Sequence, residues 1–492
     1  MSRKSAWILL GLLALGLALG LYGLSAKSYW DDEYLSLVHA RSLGDVRHVL
    51  SLQAGNAHPP LYFLLLRLWL AVGGEGESWT RLLSVLLGLP AVVFVFLIGK
   101  RLADERTGLL AAGLYTIMPL MLIYDRELRM YSLFVSLACL SLLALLRAME
   151  DQGPAAWMLY ALSVFLMLVT HYHGLLVLTA QGLFCLIQAL RGPKPVPRLA
   201  RFGCAAAGGL ILFLPFLPAF IQALKTTPAM WQAEANSGLV GLAYLAFSLV
   251  LGQTVMPWQW PAIAGAAGAA LLLATGLASF RKAANIWILA LSFGGVTFLL
   301  GPLVSHNMPR YYVFFVPVLC LALASSFWTA PRRGIALGAI LLLGASWGAS
   351  GANYYAGRDF HILGGLDPSR EVAEFLAARV GPDDAIIGGT QVLRLYYLPR
   401  SGASCPIAPD LDQYLAAHGG LPPTVWLAIY HPVSTERGEA IRRTLMEAYG
   451  YRVDDDTRFL RDPHFARKQK FFRKPFAEYR IEVVKLRRGP GP

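Results

Sequence analysis

The 492-residue chain is 56% hydrophobic and only 15% charged, whereas soluble domains carry about 25% charged residues. This composition excludes a purely soluble enzyme, and apolar runs of about 18 or more residues recur over the N-terminal two thirds, as bilayer-spanning helices require. The net charge of +13 does not by itself indicate a nucleic-acid partner, because basic loops on the cytoplasmic side of a membrane protein explain most of it better. The five cysteines suggest no disulfide framework.

Apolar stretches predict eleven membrane spans with the N-terminus in the cytoplasm. In that orientation the short basic loops face the cytoplasm, as the positive-inside rule requires. The first stretch lacks a small-residue cleavage signal, so we interpret it as an uncleaved span. The predicted spans are residues 7–24, 79–99, 107–123, 130–147, 155–171, 174–190, 203–223, 260–279, 285–302, 311–328 and 333–350.

Two long loops are predicted on the outer face. Residues 58–72 are apolar but span only about 15 residues, fewer than a membrane crossing needs, and they carry Arg67. We therefore expect an interfacial helix there, within a first outer loop over residues 28–78. Residues 225–257 are predicted to form the second outer loop.

The composition changes abruptly near Asn353. From there on, 20 Lys and Arg residues stand against 17 Asp and Glu residues, which is typical of a soluble domain. The predicted domains are therefore 1–352 and 353–492, the second an α/β domain on the outer face. Its predicted elements are a helix at 369–379 and strands at 385–388, 424–430 and 479–485.

Three consecutive acids, Asp31, Asp32 and Glu33, follow the first span. They fit the start of a helix predicted over Glu33–His48, where free N–H groups stabilise negative charge. Uncompensated charge is costly at the edge of the hydrocarbon, which favours a second interpretation. One carboxylate would then act as a general base toward a hydroxyl or amine acceptor, and from the residues alone both interpretations stay open.

Arginines stand at the outer ends of several predicted spans. Arg126 and Arg129 are three residues apart, so on a helix they share a face and suit one phosphate. The alternative is snorkelling, or pairing with Asp125 and Glu127. Arg310 stands almost alone at the mouth of the tenth span, which makes it a candidate functional residue.

Histidines accompany these arginines. His58 precedes two prolines that preset the start of a helix, and a contact with an anionic headgroup is the open alternative. His171 and His173 have a spacing that a metal site in an extended loop allows, but two histidines alone are weak evidence, so polar lining of a cavity is favoured. The candidate lining residues are His58, Tyr62, Tyr131, His171, His173 and Tyr311.

The order of these motifs resembles the polyprenyl-phosphate-sugar-dependent GT-C glycosyltransferases, including protein O-mannosyltransferases, the lipid A aminoarabinose transferase and bacterial family-39-like enzymes. The resemblance covers residues 1–350 and implies a GT-C fold, an all-α polytopic membrane domain with periplasmic juxtamembrane helices. The chain departs from the family at its L-D-P element, where it reads Met130-Tyr131-Ser132 and lacks the acid. The resemblance therefore does not imply a closely similar substrate. The matching motifs are D-E after the first span, H-P-P-L-Y-F, R-x-x-S, R-x-x-R-x-Y, H-Y-x-G and P-R-Y.

The resemblance also implies roles for single residues. The family's acidic pair falls on Asp32 and Glu33, which makes Asp32 the expected catalytic base and leaves Asp31 as its rival. The lipid-phosphate contacts fall on Arg126, Arg129 and Arg310, with His58 and His171 lining the site.

The expected function is inverting transfer of a sugar from undecaprenyl or decaprenyl phosphate to an envelope lipid, glycan or protein. It would take place at the periplasmic face of a bacterial inner membrane, so the partners are the donor, the bilayer and an unidentified acceptor. Arginines would stabilise the leaving phosphate, so no cofactor is expected, with a divalent metal as the alternative. The rival functions are a ligase or polymerase that uses a lipid-diphosphate glycan, and a transporter, although a transporter would show two related halves.

Overall fold

The computed structural model describes ten stretches of the chain, and these form two compact units. The first unit comprises Met1–Leu24 and Ser36–His361, and the second comprises Ser25–Leu35 and Ile362–Pro492. The described residues are 1–42, 58–151, 153–192, 195–231, 238–304, 307–361, 366–431, 434–461, 463–472 and 480–489.

The first unit is helical throughout its described residues. Short 3-10 or π turns at Leu214–Phe216, Phe280–Ala283, Val296–Leu300 and Pro309–Phe315 extend or join its helices. The helices up to Tyr355 are α1 (Arg3–Leu21), α2 (Asp31–Ser42), α3 (Leu61–Gly73), α4 (Glu77–Leu102), α5 (Glu105–Thr116), α6 (Pro119–Tyr124), α7 (Tyr131–Asp151), α8 (Pro154–Leu168), α9 (Gly174–Leu190), α10 (Pro195–Phe213), α11 (Leu217–Trp231), α12 (Gly238–Leu251), α13 (Trp260–Ala278), α14 (Ala284–Gly295), α15 (Gly301–Val304), α16 (Val316–Thr329) and α17 (Arg333–Tyr355).

Eight helices in the described part of the chain are long and apolar enough to cross a membrane, which confirms the polytopic α-helical architecture. Four further apolar helices, α3, α8, α9 and α12, have 10–17 residues. The eight are α1, α4, α7, α13, α17 and the runs Pro195–Lys225, Phe280–Leu303 and Pro309–Thr329.

Two predicted segments differ from the structure. The third predicted span is broken between α5 and α6, because Pro119 begins α6 and a proline cannot donate the hydrogen bond that would continue the preceding helix. The prediction that residues 225–257 form a loop is wrong over residues 225–231, which end α11, and over Gly238–Leu251, which form the apolar helix α12. Residues 58–72 yield α3 (Leu61–Gly73), shorter than the ~20 residues of a membrane crossing.

Glycines allow α13 and α17 to pack closely. A Cβ atom at Gly268 would lie 2.4 Å from the carbonyl oxygen of Ala339, and one at Gly265 would lie 2.4 Å from the Ser346 hydroxyl. Small residues at such crossings let helix backbones approach one another in a membrane, where dispersion contacts rather than the hydrophobic effect hold helices together.

We expect Gly268→Ala to destabilise this crossing. The added methyl group meets backbone, which cannot rotate away, so the free energy of unfolding should fall by about 1–3 kcal/mol. Thermal unfolding in detergent measures the change. Gly338→Ala on α17 is the matched control, since a Cβ atom there meets nothing within 4 Å, and an equal loss in both variants would contradict the close-packing account.

The second unit is a mixed α/β domain, as the sequence predicted. Its five strands have the order β2-β1-β3-β5-β4, in which β1 is parallel to β2 and β3 while β5 is antiparallel to β3 and β4. The predicted helix at 369–379 and the three predicted strands are confirmed, although Tyr479 lies outside the described residues. The elements are α18 (Ser369–Ala377), β1 (Asp384–Gly388), a π turn (Leu393–Tyr397), α19 (Leu398–Ser401), β2 (Ile407–Ala408), α20 (Leu411–His418), β3 (Thr424–His431), α21 (Thr435–Glu447), β4 (Tyr451–Arg461), α22 (Phe465–Phe472) and β5 (Arg480–Arg488).

The central strand β3 organises the core of this unit. All of its residues after Thr424 are buried, as expected for a strand covered on both faces. Leu427 pairs with Ile387 of β1 and with Val484 of β5, and Ile441 and Leu445 of α21 pack into the same core.

Candidate active site

The three acids occupy the first turn of α2, so the predicted helix begins two residues earlier than expected; its predicted residues 43–48 lie outside the described part of the chain. Asp31 Oδ1 accepts a long hydrogen bond, 3.4 Å, from the backbone N–H of Val392. Burial raises the pKa of Asp31 to about 6, and the charge of Asp32 adds to this rise while Val392 and Arg394 oppose it. Glu33 is buried.

Arg129 contacts the helices α2 and α4 directly and is linked to α3 through Ser84. Its guanidinium Nη1 donates to the hydroxyl of Ser36 on α2 at 3.2 Å. Its carbonyl oxygen accepts from the hydroxyl of Ser84 on α4 at 3.3 Å, and that hydroxyl lies 2.7 Å from the Tyr62 hydroxyl on α3. The Arg129 side chain is only 4% exposed, so a cation is held inside protein beside apolar helices.

Five of the six predicted lining residues form one cluster of rings, whereas the hydroxyl of the sixth, Tyr62, lies beside that of Ser84. The His171 ring centroid lies 5.8 Å from His58, 6.0 Å from Tyr131 and 5.8 Å from Tyr311. His173 stacks on Tyr311 at 5.2 Å. The turn that carries the two histidines, between α8 and α9, therefore faces the residues that precede α3 and α16.

His171 is a neutral hydrogen-bond donor. Its Nδ1 accepts the backbone N–H of His173 at 3.1 Å, so the ring proton resides on Nε2. Burial, His173 and the charges of Arg129 and Arg310 lower the pKa of His171 well below its usual range. Its Nε2 atom is buried and has no hydrogen-bond partner among the described residues, so the donor is available to a ligand.

Arg310 lies beside the same cluster of rings. Its guanidinium lies 5.4 Å from the ring centroid of Tyr311. Burial and the charges of Arg129, His171, Arg310 and His39 lower the pKa of His58, and burial lowers that of His173 to about 3. The arginine–histidine cluster, defined as Arg129, Arg310, His58, His171 and His173, thus combines fixed positive charge with neutral imidazoles, a combination suited to an anion.

Arg126 has different surroundings. Its Nε donates to the carbonyl of Gly20 at 3.1 Å, and its Nη2 donates to that of Tyr22. The guanidinium also lies 5.1 Å from the ring centroid of Tyr354 and 4.8 Å from that of Tyr355. Arg126 therefore satisfies carbonyls at the C-terminal end of α1, which have no partner within the helix, and its role in phosphate binding stays a prediction.

Sequence reasoning missed several residues of these environments. Ser84 lies within the R-x-x-S motif, which was a usable signal. Ser36 and Val392 carried none, because one is an ordinary helical serine and the other contributes only its backbone N–H. Arg394 lies far along the chain from the acids, and no spacing rule links it to them.

The described residues include one group of three side chains with metal-ligand spacing, in the second unit. It consists of His431, Glu439 and Glu482. Glu482 Oε1 already pairs with Arg458 at 3.2 Å and with Arg480 at 3.0 Å. Two guanidinium groups therefore supply the positive charge that a cation would bring.

Comparisons with known proteins agree with this architecture. The structure of ArnT from Cupriavidus metallidurans bound to undecaprenyl phosphate matches with a TM-score of 0.55 at 14% identity over 98% of both chains. The Archaeoglobus fulgidus oligosaccharyltransferase in its apo form matches with a TM-score of 0.52 at 12% identity, over 91% of this chain and 73% of that one. The chain therefore has the fold of these two proteins, and the predicted GT-C fold is confirmed.

A more particular match covers part of the chain. Residues 57–218 match the family model described as dolichyl-phosphate-mannose-protein mannosyltransferase. This segment contains four of the five members of the arginine–histidine cluster, all except Arg310. No curated protein matches the chain in sequence.

We expect Asp31→Asn to stabilise the protein at neutral pH but not in acid. The folded-state pKa of about 6 exceeds the ordinary value of 3.8, so protonation of Asp31 favours the folded state. This contribution is present below the ordinary value and is lost as the pH rises through 6. Asparagine carries no charge and keeps an oxygen that accepts from Val392.

Thermal unfolding between about pH 4 and pH 7.5 measures this effect. The midpoint for Asp31→Asn should rise above the wild-type midpoint by several degrees at the upper pH and match it at the lower. Asp383→Asn serves as the control, because that carboxylate is exposed. A pH-independent difference would contradict the assignment of a raised pKa to Asp31.

Proposed function

We propose that this chain is an inverting glycosyltransferase that moves a sugar from a polyprenyl phosphate, such as undecaprenyl or decaprenyl phosphate, to an envelope lipid, glycan or protein. The proposed reaction occurs at the periplasmic face of a bacterial inner membrane, with the N-terminus in the cytoplasm and the C-terminal domain in the periplasm. The observation that carries the proposal is the arginine–histidine cluster. It offers a phosphate two cations and a neutral donor at the ends of apolar helices, where a polyprenyl tail would lie in lipid.

The proposed reaction is a single displacement. The acceptor hydroxyl or amine attacks the anomeric carbon while the bond from that carbon to the phosphate oxygen breaks. Asp32 takes the proton from the nucleophile as general base, with Glu33 as its partner in the acidic pair. The polyprenyl phosphate leaves with one more negative charge, and the configuration of the anomeric carbon is inverted.

Arg129 and Arg310 are proposed to stabilise the charge that develops on the leaving phosphate. Charge-assisted hydrogen bonds from guanidinium groups are stronger than neutral ones, and donors fixed before the reaction need no reorganisation during it. The Nε2–H of His171 adds a donor with no charge of its own. With this charge supplied by side chains, we propose that a divalent metal is dispensable.

The helix α2 carries both the proposed base and a serine that binds Arg129. Asp32 and Ser36 are four residues apart, so they lie on the same face of the helix. The Ser36 hydroxyl accepts from Arg129. The proposed base is therefore one helical turn from the residue that meets the phosphate-binding arginine.

We expect Asp32→Asn to retain less than a tenth of the transfer rate while donor binding is unchanged, because an amide cannot accept the proton. Purified protein, a polyprenyl-phosphate sugar and envelope extract as acceptor source provide the assay, run with and without EDTA, which should leave the wild-type rate unaffected. Asp412→Asn, an exposed acid of the second unit, is the control. Retention of more than a tenth of the rate would transfer the role of base to another residue, with Asp31 the first to test.

Cells that lack the protein should accumulate a polyprenyl monophosphate sugar, because its consumer is missing. Mass spectrometry of extracted lipids detects the species and identifies the sugar by mass. Complementation with wild-type protein should clear the lipid, and complementation with Asp32→Asn should not. Accumulation of a lipid-diphosphate glycan would instead establish the rival ligase or polymerase function, and an unchanged lipid profile would favour a transporter.

A further inference from the structure

The segment Ser25–Leu35 follows the first membrane span in the chain but belongs to the second unit. It carries all three acids of the proposed site. Its contacts within the second unit involve residues more than 300 positions later in the sequence. We call this stretch the anchored segment.

The first contact is at the N-terminus of α18. The Ser28 hydroxyl accepts the backbone N–H of Arg370 at 3.2 Å and donates to Glu371 Oε2 at 3.1 Å. The Arg370 side chain donates to the carbonyl of Ser25 at 3.0 Å. Ser28 thus acts as a helix cap supplied from a distant part of the chain, since the first N–H groups of a helix have no partner within it.

The second contact is at the π turn Leu393–Tyr397. The backbone N–H of Tyr29 donates to the Tyr397 hydroxyl at 2.6 Å. The Tyr29 side chain is fully buried, and its ring meets the edge of Tyr396 with centroids 5.1 Å apart. Tyr34 contacts the same Tyr396 ring at 6.3 Å.

The third contact is the hydrogen bond from the Val392 N–H to Asp31. The anchored positions 28, 29 and 31 precede Asp32, and position 34 follows Glu33. Because the segment is held on both sides of the acids, the second unit determines where the first turn of α2 begins and which way its carboxylates point.

We infer that Tyr397 and Glu371 are positioning residues for the proposed base Asp32, because they hold the anchored segment that carries it. This inference rests on the proposed function. Neither side chain needs to touch the substrate. Each fixes the backbone of the anchored segment, and a base displaced by about 1 Å can lose about a hundredfold in rate.

The test compares Tyr397→Phe with Tyr414→Phe in the full-length protein. Phenylalanine keeps the buried ring but removes the hydroxyl that accepts from Tyr29. We expect faster hydrogen–deuterium exchange over residues 25–35, at least a tenfold lower kcat and a KM for the polyprenyl-phosphate sugar within twofold of wild type. Tyr414, in the core of the same unit, is the matched control and should change none of these quantities.

Two substitutions of Glu371, one conservative and one not, provide a second test. Glu371→Gln keeps an oxygen that accepts from Ser28 and should retain kcat, whereas Glu371→Ala removes it and should lower kcat as Tyr397→Phe does. Wild-type kcat and unchanged exchange in Tyr397→Phe would overturn the inference. A lower kcat in Glu371→Gln equal to that of Glu371→Ala would also contradict it, since the lost charge rather than the anchor would then be responsible.

The proposed function and the positioning role of Tyr397 and Glu371 can fail separately. If wild-type protein transfers no sugar from the polyprenyl-phosphate donor, the proposed function is wrong and the role in catalysis falls with it. If wild-type protein is active and the Tyr397→Phe rate equals it, the function stands and only the positioning role is overturned.

Discussion

A buried arginine at the edge of the hydrocarbon is the constraint on which the proposed site depends. A cation removed from water must be compensated by hydrogen bonds or by an anion, and Arg129 finds the Ser36 hydroxyl within the protein. Burial lowers the pKa of the surrounding histidines, and the charges of Arg129 and Arg310 lower those of His58 and His171 further. These shifts favour the neutral imidazoles, which contribute donors and rings to the cluster.

Each unit holds its own set of charged groups. The first unit supplies fixed positive charge on apolar helices, where burial strengthens electrostatic interactions. The second unit holds the carboxylates, and burial shifts the Asp31 pKa upward there. Asp31 accepts a hydrogen bond from a backbone N–H, and Arg129 donates one to a hydroxyl.

Much of the architecture follows from hydrophobicity alone, because a span must be apolar over about 20 residues whatever its neighbours are. The change of composition after the last predicted span likewise predicted an α/β domain, and its three predicted strands are confirmed. The two predicted segments that differ from the structure have local causes. Pro119 splits a continuous apolar run that hydropathy cannot divide, and α12 is too short to register as a span.

The candidate site was predictable where polar residues interrupt apolar sequence, as at Arg129, His171 and Arg310. It was not predictable where the contact is made by a backbone N–H or by an ordinary hydroxyl, as with Val392 and Tyr397. The pair Arg126 and Arg129 illustrates the limit of spacing arguments. Three residues apart on a regular helix they would share a face, but they lie in the turn between α6 and α7, and the Arg126 guanidinium contacts the end of α1 instead.

The distant cap at α18 has a consequence for the order of folding. Ser28 leaves the ribosome early in synthesis, and its partner Glu371 follows 343 residues later. Contacts of such large sequence separation form late, because closing a long loop costs entropy before any contact repays it. The membrane helices can therefore insert and pack while the acids still lack their final support. A nascent chain arrested before residue 362 would possess the arginine–histidine cluster but not the fixed carboxylates, so the proposed transfer activity would arise only after the later part of the second unit is made.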